Sequence, residues 1–319
     1  MKLIDMHCDT LWRLSDHPDM DFRRGDLCVD LDKMQMAGSI AQFFACFIYM
    51  DEIVGEDPWG QGYEKALNMI DCGKKLFANH SHAIGLAKNN KDFLECQAEG
   101  KIAAFLTVEE GGILDGDLRR LEHLYQEGVR LLTLTWNHEN CIGYPNSRDK
   151  VMMERGLKEF GFQVVEKMNE LGMLIDVSHL SDGGFWDVIR MSKMPVVASH
   201  SNARVLCNHP RNLSDEMIRA LSDQGGIAGV NVYPYFVQPE GQIKAEDIAK
   251  HIAHIYNVGG EDVVAMGTDF DGFDNGVSDV NHIGQMGLVY DIVKRQGFTE
   301  RQMEKFWHKN AMRVIQTLG

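Results

Sequence analysis

The chain has 319 residues, 44% of them hydrophobic and 25% charged, with 31 glycines against only 7 prolines, a profile that excludes disordered, collagen-like and low-complexity classes. Thirty-two basic and 47 acidic residues leave a formal charge of −15, so phosphate backbones and anionic lipid surfaces are repelled and neither nucleic acid nor a membrane is an expected partner. Asp5 interrupts any apolar leader, the run over 40–50 is too short to span a bilayer, and the seven scattered cysteines form no Cys-x-x-Cys pair, so a soluble cytoplasmic protein is expected.

In chain order, short apolar runs occupy residues 3–7, 40–49, 102–109, 129–135, 173–179, 195–200, 226–233 and 263–269. Most are continuously apolar, as strands buried on both faces are, and each predicts a strand. Helical periodicity marks 158–171, where Phe162, Val165, Met168 and Leu171 share a face, and 214–221, where Ser214 is placed as an N-cap. Similar patterns cover 245–256 and 300–316. Eight strands alternating with helices predict an α/β fold, a (β/α)8 TIM-type barrel, with residues 1–319 as one domain. The alternative, an open doubly wound sheet, calls for a glycine-rich loop after its first strand; residues 6–10, Met-His-Cys-Asp-Thr, are not one.

In such a barrel, ligand and catalytic groups gather where the strands end. Here the runs end in His7-Cys8-Asp9, Glu109-Glu110, Asp176-Val-Ser-His179, Ser199-His200-Ser201 and Asp269-Phe-Asp271. Carboxylates crowded at one rim repel unless cations lie between them, so a metal site at the C-terminal face of the strands is expected. His7 and Asp9, two apart on a strand, share a face and suit one ion; His179 and His200, from adjacent strands, suit a second. A carboxylate from the third strand has two oxygens and can bridge both. Nitrogen and oxygen donors without thiolates favour two Zn2+, with Mn2+, Co2+ or Fe2+ as alternatives. Cys8 faces away and is read as packing. Asp5 and Asp176 are read as structural partners, His251 and His254 as helix-face residues, and His80 and His82 as loop residues.

The chain resembles the membrane (renal) dipeptidase family of zinc metallopeptidases, within the amidohydrolase superfamily. The resemblance runs through Asp5-Met-His7-Cys-Asp9, Val108-Glu109-x-Gly111, Leu131-Leu-Thr-Leu-Thr135, Leu174-Ile-Asp-Val-Ser-His179, Ser199-His200-Ser201, Arg211-Asn212 and Gly267-x-Asp269-Phe-Asp271-Gly272. It implies a dipeptidase that hydrolyses dipeptides, those with a C-terminal D-residue included as an open possibility, by a hydroxide bridging two zinc ions. By the same resemblance His7 and Asp9 match the ligands of one zinc, His179 and His200 those of the other, and Glu109 the bridging carboxylate. Asp269 matches the acid/base aspartate, with Asp271 as the next candidate, and Arg211 matches the arginine that holds the substrate's free carboxylate. A homodimer is also an assembly found in the family. Two positions depart from the family pattern. Glu109-Glu110 stands where Glu-Gly is usual, and Trp136 replaces the histidine that contacts the scissile group in mammalian members. The nearby His138 is the candidate to take over that catalytic and substrate-binding contact. Another amidohydrolase-type hydrolase, a deaminase or lactonase, is the alternative, although such enzymes typically open with His-x-His. A non-catalytic barrel is the remaining one.

Overall fold

The computed structural model describes residues 1–273 and 277–319. In chain order the strands are β1 (Leu3–Cys8), β2 (Ser39–Phe47), β3 (Ile84–Leu86), β4 (Ile102–Glu109), β5 (Val129–Thr133), β6 (Leu174–Asp176), β7 (Val196–Ala198), β8 (Ile227–Val230), β9 (Gln242–Ile243), β10 (Val264–Met266) and β11 (Val277–Ser278). The parallel order β2-β1-β10-β8-β7-β6-β5-β4 closes on itself, because β4 pairs with β2 from Ala41↔Ala103 to Phe47↔Glu109. The eight expected strands are thus the eight staves of a closed (β/α)8 barrel. Beyond them, β3 pairs with the start of β4, on the edge that β5 takes from Leu106 onward. The short β9 and β11 form a separate parallel pair.

Several expected runs stay in the ladder for only three or four residues, as β6, β7, β8 and β10 do. Their remaining residues turn across the mouth, where the chain leaves the sheet to place side chains. The helices at Glu159–Leu171, Asp215–Asp223 and Ala245–Gly259 follow the periodicity, and the Ser214 side chain accepts from Met217 N as an N-cap should. Residues 300–316 do not form one helix: a π-helical segment at Lys305–Lys309 separates Glu300–Glu304 from Asn310–Ile315. Just after that segment, the Asn310 side chain donates to Glu261 O and Val264 O. The longest helix, Pro58–Asn79, was not anticipated from periodicity; it starts with Asp57 capping Gly60 N and a proline in its first turn.

Inside the barrel, Ile4, Met6, Phe43, Phe105, Leu131, Leu174, Val197 and Ile227 pack into one buried cluster, joined by Ala311, Val314 and Ile315 of the last helix. Apolar side chains thus fill the lower barrel, so polar groups on the same strands meet only near the C-terminal face. β1 carries the one irregularity that matters for the site. Asp5 pairs with Gln42 but Cys8 with Phe44, so three β1 residues span two of β2. Such a bulge puts two consecutive side chains on one side. Met6 enters the lower core while His7, its neighbour, also turns inward, and Cys8 packs outside with Leu3 and Leu11.

Candidate metal centre and cleft

His7 and Asp9 come from the end of β1, Glu109 from the last residue of β4, His179 from the turn after β6, His200 from just beyond β7 and Asp269 from just beyond β10. The turns that aim them are tight. His179 and Asp269 have φ of 66° and 65°, left-handed conformations that cost a non-glycine residue of order 1–3 kcal/mol and persist where surrounding structure holds them. The chain at Ser199–His200 also lies against bare backbone. A Cβ at Gly267 or Gly229 would sit 1.7 or 1.9 Å from Ser199 O, so only glycine lets these strands approach. A Cβ at Gly272 would lie 2.2 Å from Asp9 Oδ2, so the glycine ending the Asp269 motif leaves room for that carboxylate.

Glu109 lies at the centre, 3% exposed, with its two oxygens facing different neighbours. Oε2 is 3.3 Å from His7 Nε2, which is itself 3.5 Å from Asp9 Oδ2. Oε1 is 2.9 Å from His179 Nε2 and 3.5 Å from His200 Nε2, and those two nitrogens are 3.1 Å apart. Asp269 Oδ1 lies 3.8 Å from His7 Nε2, and its Oδ2 accepts from Asn231 Nδ2 at 2.8 Å.

The partners on the far side of each imidazole decide where its lone pair points. Ser199 Oγ donates to Asp176 Oδ2 at 2.6 Å, so it accepts from His200 Nδ1 at 2.7 Å. His179 Nδ1 faces Asn137 Oδ1 at 3.1 Å. Burial keeps both rings neutral, His179 down to about 4 and His200 well below its ordinary value, with positive charge on Arg211 and, for His200, on His7 adding to the effect. Each therefore carries its hydrogen on Nδ1 and turns a bare Nε2 lone pair toward Glu109 Oε1. Three electron-pair donors converge there, an arrangement that suits a cation.

The other side tells the same story by charge. Burial pushes Asp9 up to about 8 and Asp269 up to about 6, and the neighbouring Glu109 charge adds to each. For His7, burial opposes protonation, but Glu109 and Asp9 outweigh it and hold the ring well above its ordinary pKa. One proton on His7 is the local counter-charge, and a divalent ion would displace it. Neither His7 nitrogen, nor Asp9 Oδ1, has a hydrogen-bond partner although all are buried. The residues present fit metal ions on both sides of Glu109.

The other rim carboxylates have different work. Asp176 accepts from Thr133 Oγ1, Ser178 N, Ser199 N and Ser199 Oγ, and Asp5 accepts from Gln42 Nε2, Thr268 N and Thr268 Oγ1, so both are structural partners. Glu110 turns away at φ 106° and accepts from Gly112 N, Asn140 Nδ2 and Trp136 N. Asp271 accepts from Thr10 Oγ1, Cys28 N and Val29 N, tying the N-terminal loop to the barrel. With both oxygens so engaged, it is not available as a base.

A cleft of about 760 Å³ opens over Asp9, Glu109 and Asp269, walled by Trp12, Phe47, Tyr49, Trp136 and Phe273. A second lobe of about 460 Å³ adjoins it, sharing Asn137, His179 and Tyr233 and containing Arg211. Arg211 is buried; Nη1 donates to Ser201 Oγ, Nη2 donates to His200 O, and Nε has no partner. His138 must be corrected: it lines neither lobe, its ring is 39% exposed, and its Nε2 lies 3.0 Å from Asp51 Oδ1. Its neighbour Asn137, although exposed, lines both lobes instead. Asn137 was missed because an asparagine beside a histidine carries no distinct signal in a one-dimensional pattern.

Comparison with known proteins agrees with this geometry. The family described as membrane dipeptidase (peptidase family M19) matches residues 1–318. A protein from Schizosaccharomyces pombe named as an uncharacterized dipeptidase is 31% identical over 98% of this chain and 79% of its own length. A Klebsiella pneumoniae protein encoded in the pqqA 5′ region is 32% identical over 77% of this chain and 93% of its own. Among solved structures, dipeptidase AC, a family M19 metallopeptidase, superposes with a TM-score of 0.91 at 25% identity, covering 100% of this chain and 98% of its own. A Rhodobacter sphaeroides metallopeptidase liganded with a phosphinate mimic of L-Ala-D-Ala shares the fold at TM-score 0.89 and 24% identity, covering 100% and 99%. The (β/α)8 barrel, the cluster around Glu109 and the match over the whole chain lead to one conclusion: the chain belongs to peptidase family M19, the membrane dipeptidase family of metal-dependent peptide-bond hydrolases.

Proposed function

We propose that the protein is a binuclear zinc dipeptidase, with His7, Asp9 and Glu109 holding one Zn2+ and Glu109, His179 and His200 the other. The observation that carries this reading is the split of Glu109: one oxygen faces His7, the other faces His179 and His200. Metal ions held by these residues would make hydroxide available at neutral pH and would polarise the scissile carbonyl. Asp269, with Oδ2 held by Asn231 and Oδ1 turned to the centre, accepts the proton of the attacking water and returns it to the leaving amine. Burial lifts its pKa to about 6, nearer the range where a base is effective. The dipeptide's free carboxylate pairs with Arg211 in the adjoining lobe, and the aromatic wall of the larger lobe excludes water. The reading is also of a cytoplasmic protein, supported by seven cysteines that are all free thiols. Among the described residues, no helix is long and apolar enough to cross a membrane.

The test is a comparison of free and C-terminally amidated dipeptides, as L,L and L,D pairs, on zinc-loaded protein. A charge-assisted hydrogen bond of about 1.5–3 kcal/mol corresponds to roughly 10- to 150-fold, so amides should lose about that factor in kcat/KM. Arg211→Met should cost the free acid a similar factor. Equal hydrolysis of acid and amide, unchanged by Arg211→Met, would remove the dipeptidase reading's substrate anchor.

Asn137 takes the contact first assigned to His138. Its oxygen is committed to His179 Nδ1, which leaves its amide hydrogens facing the cleft to donate to the carbonyl oxygen as negative charge develops. Asn137→Ala is expected to lower kcat by about 10- to 150-fold. His138→Ala should stay within about threefold, as a surface ion pair contributes little. Steady-state kinetics giving the reverse order would return the role to His138.

A further inference from the structure

The smaller lobe holds more positive charge than one carboxylate needs. Its polar lining is Asn137, Asn146, Arg148, Asn208, His209 and Arg211. Among the described residues no aspartate or glutamate lines it, in a chain with 47 acidic residues. Arg211 lies at the bottom, buried and close to the centre. Arg148 lies at the rim, exposed, with no ion pair or hydrogen bond among the described residues. The Arg148 guanidinium thus stands at the mouth of this lobe with no protein carboxylate paired to it among the described residues, open to an anionic ligand.

His209 lines the same lobe. Its Nδ1 accepts from Arg211 N at 3.2 Å, which leaves the ring hydrogen on Nε2 as a donor. Burial and the charges of Arg148, Arg211 and Arg204 hold it at about 4, so it is neutral, and the field it reports is positive. The lobe therefore offers two guanidinium groups and neutral donors, but the α-carboxylate of a dipeptide supplies only one negative charge. Its volume of about 460 Å³ lies within the range of ordinary small-molecule sites.

We propose that the enzyme prefers dipeptides whose C-terminal residue carries a second carboxylate, aspartate or glutamate, with Arg211 holding the α-carboxylate and Arg148 the side-chain carboxylate. The inference rests on the dipeptidase reading and names its substrate class. Arg148 is a specificity residue and takes no part in the bond-breaking step. Its exposure sets the scale: solvent screens the contact, so the preference should be near the lower end of charge-assisted pairing.

The experiment measures kcat/KM on zinc-loaded full-length protein for dipeptides ending in Asp, Asn, Glu, Gln or Leu, each as the L,L and L,D form. The isosteric Asp/Asn and Glu/Gln pairs isolate charge from shape. An acid-to-amide ratio of about tenfold in at least one of the two pairs is expected, falling to about one in Arg148→Gln. Arg295→Gln, which removes the same charge from an exposed helix end, should leave the ratio intact and so separates local contact from overall field. A wild-type ratio near one, or a ratio that survives Arg148→Gln, overturns the proposal while leaving the dipeptidase reading in place, since Asn, Gln and Leu dipeptides would still be cleaved. Failure to cleave any of these peptides overturns both.

Discussion

Glu109→Gln is expected to empty the barrel mouth of metal and to lower dipeptide hydrolysis by about 10³-fold or more. The side chain keeps its shape, so the loss is one of charge. In the native protein burial would push this carboxyl up, but the positive charge on His7 outweighs it and holds the group well below the ordinary carboxylate range. Its ionised form is therefore the resident state, flanked on both sides by donors that face inward. A neutral amide removes the only group shared by the two donor sets and points an N–H₂ at one of them. Loss of an orienting hydrogen bond to a ligand already costs up to about 100-fold in metal affinity, and loss of a bridging ligand should cost more. Forfeiting several kcal/mol of charge stabilisation, at about 1.36 kcal/mol per tenfold, gives the stated drop in rate. Elemental analysis should find well under one ion per chain, against about two in the wild type. Glu110→Gln is the matched control. Its carboxylate holds Gly112, Trp136 and Asn140, so the variant should lower Tm and keep its metal. Metal loss in Glu110→Gln with retention in Glu109→Gln would reverse the assignment.

The second large effect concerns the proton. Asp269→Asn should keep the ions and lose about 10²–10⁴-fold in kcat, the range for a general acid/base. The geometry makes the substitution clean, since Asn231 already fixes one oxygen and an asparagine can retain that contact through its own carbonyl. Asp271→Asn should behave differently. It removes charge from a site that accepts from Thr10, Cys28 and Val29, costing roughly 1–3 kcal/mol of stability with kcat largely preserved. Single-turnover rates and metal content measured on both variants separate the outcomes. If Asp269→Asn loses metal in step with activity, Asp269 is a ligand; if it keeps both metal and kcat, the base lies elsewhere.

Much of this was legible in one dimension. Buried parallel strands must be apolar on both faces, so eight apolar runs marked the barrel staves. A strand's last residues must face the mouth, so His, Asp and Glu at those ends marked the centre. Those rules depend on chain order and side-chain type, which the sequence by itself determines. What it could not determine was direction wherever the backbone leaves regular geometry. The bulge in β1 sends Met6 and His7 to the same side, and a continuous apolar run gives no sign of it. Glu109 and Glu110 are chemically alike, and a backbone turn at φ 106° sends the second away. Asp269 and Asp271 share a motif and nearly the same left-handed φ, 65° and 68°, yet one meets His7 and the other meets Thr10 on a segment more than 260 residues distant in sequence. Of the adjacent Asn137 and His138 only the first lines the cleft, in a loop with no periodicity to set a face. Alternation carries facing information only within a regular strand or helix. At the barrel mouth the chain is neither, and the partners that hold each side chain come from strands far away in sequence, so only the closed barrel decides which of two adjacent residues reaches the site.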